Sequence, residues 1–141
     1  MYLSHKLQKE EGDTMRRIVI NMQNALFGNA IADTLRRSGN ELEPYTVTSS
    51  DKIVDDCNWI TPYALLMEVT GCAPWKLEDR LSIRDAIKAM NPECKIVLVV
   101  DENAEKETAQ HVKQAKKDGI IDQFIYGSIS ASYLADIVDS L

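Results

Sequence analysis

Two carboxylates lie at the carboxyl ends of predicted buried strands of this sequence. Glu68 lies near the end of an apolar run over residues 63–69, and Asp101 follows the run at 95–100. If these strands are parallel neighbours, their carboxyl ends meet at one sheet edge and the two carboxylates lie close together. Such a pair can bind a cation or share a proton. A divalent metal generally needs more oxygen ligands, and Asp101 is also placed to cap the following helix, so we predict no metal site.

The other reactive side chains form no constellation that indicates catalysis. Cys57, Cys72 and Cys94 are widely spaced, and with only two histidines in the chain no zinc site is predicted. A Cys72 nucleophile would need an activating histidine, and none is evidently placed for that role. The segment after the first predicted strand has neither a GxGxxG pattern nor a P-loop. We therefore expect no catalytic residue and no cofactor, and we expect that the protein is not an enzyme.

The composition excludes several classes of partner. The 141 residues include 22 acidic and 16 basic side chains, giving a net charge of −6, which argues against nucleic-acid binding. The apolar runs are too short to cross a membrane, and the first residues lack the apolar core of a signal peptide, so we expect a cytoplasmic protein. Residues 1–14 are polar and aperiodic, which favours a flexible extension before one domain at 15–141.

Short apolar runs alternate with helical stretches over the rest of the chain. Strands are predicted at residues 18–20, 45–48, 63–69, 95–100 and 124–126. Helical spacing of apolar residues lies between them, with inner faces expected to include Ala30 and Ile31, then Leu77 and Ile87, then Ala104 and Val112, and finally Leu134 and Val138. This alternation predicts an α/β fold with a five-stranded parallel sheet and helices on both faces.

Three segments together resemble the receiver domains of response regulators. PYALLMEV at 62–69 is similar to the family's PDLVLLDV strand, KIVLVV at 95–100 resembles its fourth strand, and GIIDQFIYGS at 119–128 resembles its GADDFLTKP segment. The likeness covers residues 16–141, with matching element order and connector lengths. It implies a flavodoxin-like fold with strand order 2-1-3-4-5 and a signal-transduction function in two-component systems.

The resemblance places Glu68 where the family has its phosphoacceptor aspartate. Receivers hold Mg²⁺ with an acidic pair after the first strand, but this sequence has Asn21-Met22-Gln23 there. The hydroxyl residue after the fourth strand corresponds to Val100, and the lysine before proline corresponds to Gly127. Phosphoryl transfer needs a nucleophile, a hard cation and positioned donors. We therefore predict a degenerate pseudo-receiver whose pocket positions have lost these groups: Asn21, Met22, Val100, Asp101 and Gly127.

Two positions have both a functional and a purely structural interpretation. The carboxylate of Glu68 could imitate an aspartyl phosphate, or it could simply be hydrogen-bonded at a strand end. We favour the second, because one carboxylate carries less charge than a phosphoryl group and its hydroxyl and lysine partners are missing. Phe124 occupies the position of the family's aromatic switch residue, although a half-buried strand aromatic would look the same.

The expected function is signalling by contact with a protein partner. Receivers commonly pair through the fourth helix, fifth strand and fifth helix, which implies a homodimer surface within about residues 102–141. Complementary charges there are Lys113, Lys117, Asp136 and Asp139. Two alternatives stay open: an enzymatic or small-ligand-binding flavodoxin-like domain, and an atypical receiver that is still modified at Glu68.

Overall fold

A five-stranded parallel sheet organises the computed structural model, which describes residues 15–141; the extension predicted at 1–14 lies outside the described residues. The strands are β1 (Arg16–Asn21), β2 (Leu42–Thr46), β3 (Ala64–Val69), β4 (Lys95–Val100) and β5 (Gln123–Tyr126). Their order across the sheet is β2-β1-β3-β4-β5, and every neighbouring pair is parallel. The predicted fold class and strand order are confirmed.

Helices cover both faces of the sheet. They are α1 (Ala25–Arg37), α2 (Ile53–Ile60, entered through a 3-10 turn at Ser50–Lys52), α3 (Leu77–Met90), α4 (Lys106–Lys117) and α5 (Ala131–Asp139). The buried side chains form two clusters, one beneath α1 and α5 and the other beneath α2, α3 and α4. Among residues 15–141, no helix combines the length and apolar character that a membrane crossing requires.

The central strands are apolar along their whole length because both of their faces are covered. Alternate residues of β3 enter different clusters, with Leu65 and Met67 in one and Ala64 and Leu66 in the other. The edge strand β2 begins earlier than the sequence indicates, at Leu42. Its proline therefore lies within the strand, which an edge position tolerates because proline lacks the N–H of a ladder hydrogen bond.

Two helices differ from their predicted form. In α1 the buried residues are Gly28, Ile31, Ala32 and Leu35, whereas Ala30 is exposed. In α4 the first helical residue is Lys106 rather than a residue next to Asp101. The carboxylate of Asp101 accepts hydrogen bonds from the amides of Asn103 and Ala104, at 3.0 and 3.1 Å. These bonds hold a separate turn in front of the helix.

Candidate functional site

The carboxylate of Glu68 is held against the start of α1. Its Oε1 accepts hydrogen bonds from the backbone amides of Gln23, at 2.6 Å, and Asn24, at 3.4 Å. Asn24 is the N-cap of α1, where its own side chain accepts from the amide of Phe27. A helix N-terminus favours a nearby negative charge, so this arrangement stabilises the carboxylate within the protein itself.

A concave site of about 320 Å³ opens beside this carboxylate at the carboxyl edge of the sheet. Four segments of the chain form its walls: the start of α1, the end of β3, the end of β4 with the loop after it, and the loop after β5. The lining residues are Asn24, Phe27, Glu68, Val99, Asp101, Asn103, Gly127 and Ser128. The structure thus brings together three of the predicted positions, Glu68, Asp101 and Gly127. Oδ1 of Asp101, however, already accepts hydrogen bonds from the turn before α4.

The other predicted pocket positions are buried in the core. In the sheet register Glu68 pairs with Val99, and successive side chains of a strand point to opposite faces. Val99 and Asp101 therefore share the face of Glu68, whereas the side chain of Val100 packs in the cluster beneath α2, α3 and α4. Met22 is buried in the cluster on the other face. The structure thus does not bring Val100 and Met22 to the cavity.

Gly127 lies at the rim of the cavity without steric need for glycine. Its amide donates to the carbonyl oxygen of Val100 at 2.8 Å. A Cβ placed on Gly127 would be 3.7 Å from that oxygen, an ordinary van der Waals distance. The neighbouring hydroxyl of Ser128 donates to the carboxylate of Glu102. The packing around Gly127 therefore leaves room for a side chain at this position.

Phe124 packs against the buried cluster beneath α2, α3 and α4. Its ring is half-buried and meets Tyr126 edge to face, with 5.3 Å between centroids. The Nζ atom of Lys116 lies 5.8 Å from the centroid of Phe124. These contacts place the aromatic against α4, and its role as a switch stays a prediction.

Arg80 was not identified from the sequence, although it is the most unusual side chain of this edge. It is fully buried. Its Nε donates to the main-chain oxygen of Glu68 at 2.8 Å, one Nη donates to Oδ1 of Asn21 at 2.7 Å, and the other lies 3.5 Å from Oγ of Ser50. The guanidinium carbon lies 4.3 Å from the centroid of the Trp75 ring. Arg80 therefore joins the ends of β1 and β3 to two connecting loops.

The surroundings of Arg80 leave it charged at neutral pH. Burial lowers its pKa to about 10, while the carboxylates of Glu68 and Asp79 act in the opposite direction. Even this lowered pKa is well above neutral pH, so the guanidinium of Arg80 stays protonated there. Asn21 is itself fully buried, and its Nδ2 donates to the main-chain oxygen of Val47 at 2.6 Å. The cation thus has an ordered, internally hydrogen-bonded environment.

Helical spacing does contain a signal for Arg80. It lies three residues after Leu77 and seven before Ile87, which places it on the inner face of α3. The residue type argued for exposure, because arginine is rarely buried without partners.

The resemblance implies Mg²⁺ at this edge, so the ligands that such an ion needs can be compared with the residues present. Mg²⁺ requires a compact octahedron of oxygens, usually including carboxylates. Asn21 Oδ1 and the carbonyl oxygen of Glu68 already accept hydrogen bonds from Arg80, and Met22 offers only a buried, soft thioether. Within residues 15–141, no group of three or more His, Cys, Asp or Glu side chains is placed to hold a metal ion. These residues do not fit Mg²⁺.

No protein-family model and no curated protein matches the sequence. Solved structures do match it. An orphan response regulator of H. pylori has a TM-score of 0.67 at 14% identity, over 90% of this chain and 96% of that one. A CheY-like receiver domain from Methanospirillum hungatei has a TM-score of 0.69 at 12% identity, over 89% and 92% of the two chains. The receiver domain of AraT from Geobacillus stearothermophilus has a TM-score of 0.71 at 9% identity, with the same coverage.

Identities this low establish likeness of fold alone. The strand order, the five connecting helices and the near-complete coverage of the matched domains agree with the likeness that the sequence carries. The chain therefore has the fold of CheY-like response-regulator receiver domains.

Proposed function

We propose that this protein is a cytoplasmic signal-transduction module of the receiver type that acts by binding proteins, without catalysis and without Mg²⁺-dependent phosphorylation. The proposal rests on the hydrogen bonds at the carboxyl edge of the sheet, where polar groups of the protein bond to one another. A receiver fold brings a carboxylate to this edge, and here that carboxylate, Glu68, accepts hydrogen bonds from two backbone amides.

The chemistry of the edge supports independence from phosphorylation. In-line phosphoryl transfer needs a cation on the transferring oxygens and donors around them. The residues of the edge do not fit Mg²⁺, the cavity residues at the end of β4, Val99 and Asp101, have no hydroxyl group, and Gly127 has no side chain. The buried guanidinium of Arg80 does not line the cavity beside Glu68 and has no exposed atoms to offer a ligand.

Intact-mass spectrometry after incubation with acetyl phosphate and Mg²⁺ tests this part of the proposal. We expect the mass of the protein to stay unchanged. A receiver domain with a complete phosphorylation site, treated in parallel, supplies the positive control. A stoichiometric phosphoryl adduct that is lost in a Glu68→Gln variant would instead identify an atypical receiver modified at Glu68.

The surface formed by α4, β5 and α5 is the contact surface that we propose for a second copy of the chain. Lys113 and Lys117 are exposed on α4, and Asp136 is exposed on α5. These opposite charges lie on the two helices that flank the edge strand β5, so a two-fold pair can place the lysines of one copy near Asp136 of the other. Asp139 contributes less, because it pairs with Arg16 within the chain.

Light scattering over a range of concentrations tests the dimer. We expect the apparent mass to rise toward twice that of the chain, and a Lys113→Glu/Lys117→Glu variant to stay monomeric. A further charge reversal, Asp136→Lys, in the same variant is expected to restore pairing. A concentration-independent monomer would exclude the homodimer, and the same surface would then be tested against a heterologous partner.

A further inference from the structure

The edge of the sheet contains a positive charge that belongs to the protein itself. Arg80 is fully buried, and its guanidinium carbon lies 4.3 Å from the centroid of the Trp75 ring. A guanidinium over an indole face gains a cation–π attraction that desolvation strengthens. The charge is therefore built into the site by packing on one side and by hydrogen bonds on the other.

The oxygens around this charge are of the kind that a hard metal ion would use. Asn21 Oδ1 at the end of β1 and the carbonyl oxygen at the end of β3 both accept from Arg80, at 2.7 and 2.8 Å. Oγ of Ser50, before α2, is the third oxygen near the guanidinium. A cation that gathers oxygens from several strand ends and loops fixes their relative positions, as a bound metal does.

We propose that the Arg80 guanidinium is the resident cation of this edge, which takes the place of a metal ion and keeps divalent cations out. The inference rests on the proposed function, because it takes this edge to be the receiver site. Two features would enforce the exclusion. The guanidinium already uses Oδ1 of Asn21 and the carbonyl oxygen of Glu68, and its fixed charge repels an approaching divalent cation in surroundings of low dielectric constant.

A paramagnetic titration with Mn²⁺ tests the proposal through broadening of the Gln23 and Asn24 amide resonances. An Asn21→Asp variant adds a carboxylate while retaining Arg80, and an Asn21→Asp/Arg80→Gln variant also removes the cation. We expect Mn²⁺ to bind the second variant at least about tenfold more tightly than the first, since loss of a nearby positive charge favours a divalent cation. An Asn21→Asp/Arg84→Gln variant is the matched control, because it removes a different arginine of α3.

Equal binding by the Asn21→Asp and Asn21→Asp/Arg80→Gln variants would overturn the proposal, as would the absence of binding in the second. The wild-type protein provides a measurement that needs no substitution. Its Gln23 and Asn24 resonances are expected to show no saturable broadening, and saturable broadening there would also overturn the proposal. A phosphoryl adduct on the wild-type protein would contradict the proposed function, whereas these Mn²⁺ results would contradict the cation proposal alone.

Discussion

Replacing Asn21 by alanine should destabilise the protein strongly, because two buried groups would lose their partner. Oδ1 of Asn21 accepts a charged hydrogen bond from Arg80, and Nδ2 donates to the main-chain oxygen of Val47. A hydrogen bond to a charged group contributes about 1.5–3 kcal/mol and a neutral one about 0.5–1.5 kcal/mol. The two together predict a loss of about 3 kcal/mol in the free energy of unfolding, with a fall in Tm of roughly 10 °C.

Urea denaturation at neutral pH, followed by circular dichroism, measures this loss. Asn29→Ala is the matched control, since Asn29 is exposed on α1 and its replacement should change the free energy of unfolding by less than about 0.5 kcal/mol. If Asn21→Ala lowers the free energy of unfolding by less than about 1 kcal/mol, the buried hydrogen bonds of Asn21 contribute little to the stability of the protein.

Three further predictions concern the reactivity of the cysteines, the dependence of stability on pH, and two glycines. Burial raises the pKa of Cys57 to about 12 and that of Cys94 to about 11, so only the exposed Cys72 should react quickly with a thiol reagent in the native protein. Both buried thiols keep their protons to a higher pH in the folded state than in the unfolded chain. The free energy of unfolding should therefore fall above about pH 9, by ~2 kcal/mol between pH 9 and 10. Denaturation over this pH range should show the decline in the wild type and not in a Cys57→Ala/Cys94→Ala variant; equal slopes would contradict it. Gly119 has a φ of +75°, so Gly119→Ala should cost about 1 kcal/mol in the same assay, whereas Gly127→Ala should be nearly neutral.

The fold was predictable because its strongest signals are local and repeated. β3 and β4 are buried on both faces, so their apolar runs are nearly continuous in the sequence. The apolar spacing from Leu77 to Ile87 predicted α3, and the helix ends at Met90 because the residue before Pro92, Asn91, is disfavoured in the helical conformation. The start of α4 was predicted too early, because the carboxylate of Asp101 competes with the helix for backbone amides.

The candidate site was only partly predictable. The position of Glu68 at a strand end follows from the apolar run before it, whereas its bonds to the amides of Gln23 and Asn24 depend on how β1 and β3 pair. Arg80 could not be recognised as buried from its residue type. Its burial depends on Asn21, which is distant in sequence and reaches the guanidinium only after the sheet has formed.

An amide spectrum of the wild-type protein, recorded with Mg²⁺ and beryllofluoride, tests whether the carboxyl edge of the sheet can accept a metal ion and a phosphoryl group. Beryllofluoride binds a carboxylate in the geometry of a phosphoryl group and needs the same cation and donors, and the Gln23 and Asn24 amides contact the carboxylate of Glu68. Because Arg80 already bonds Oδ1 of Asn21 and the carbonyl oxygen of Glu68, we predict that these two resonances stay in place as the concentrations of both reagents are raised. A saturable shift of both resonances would show that the edge still accepts a metal ion and a phosphoryl group.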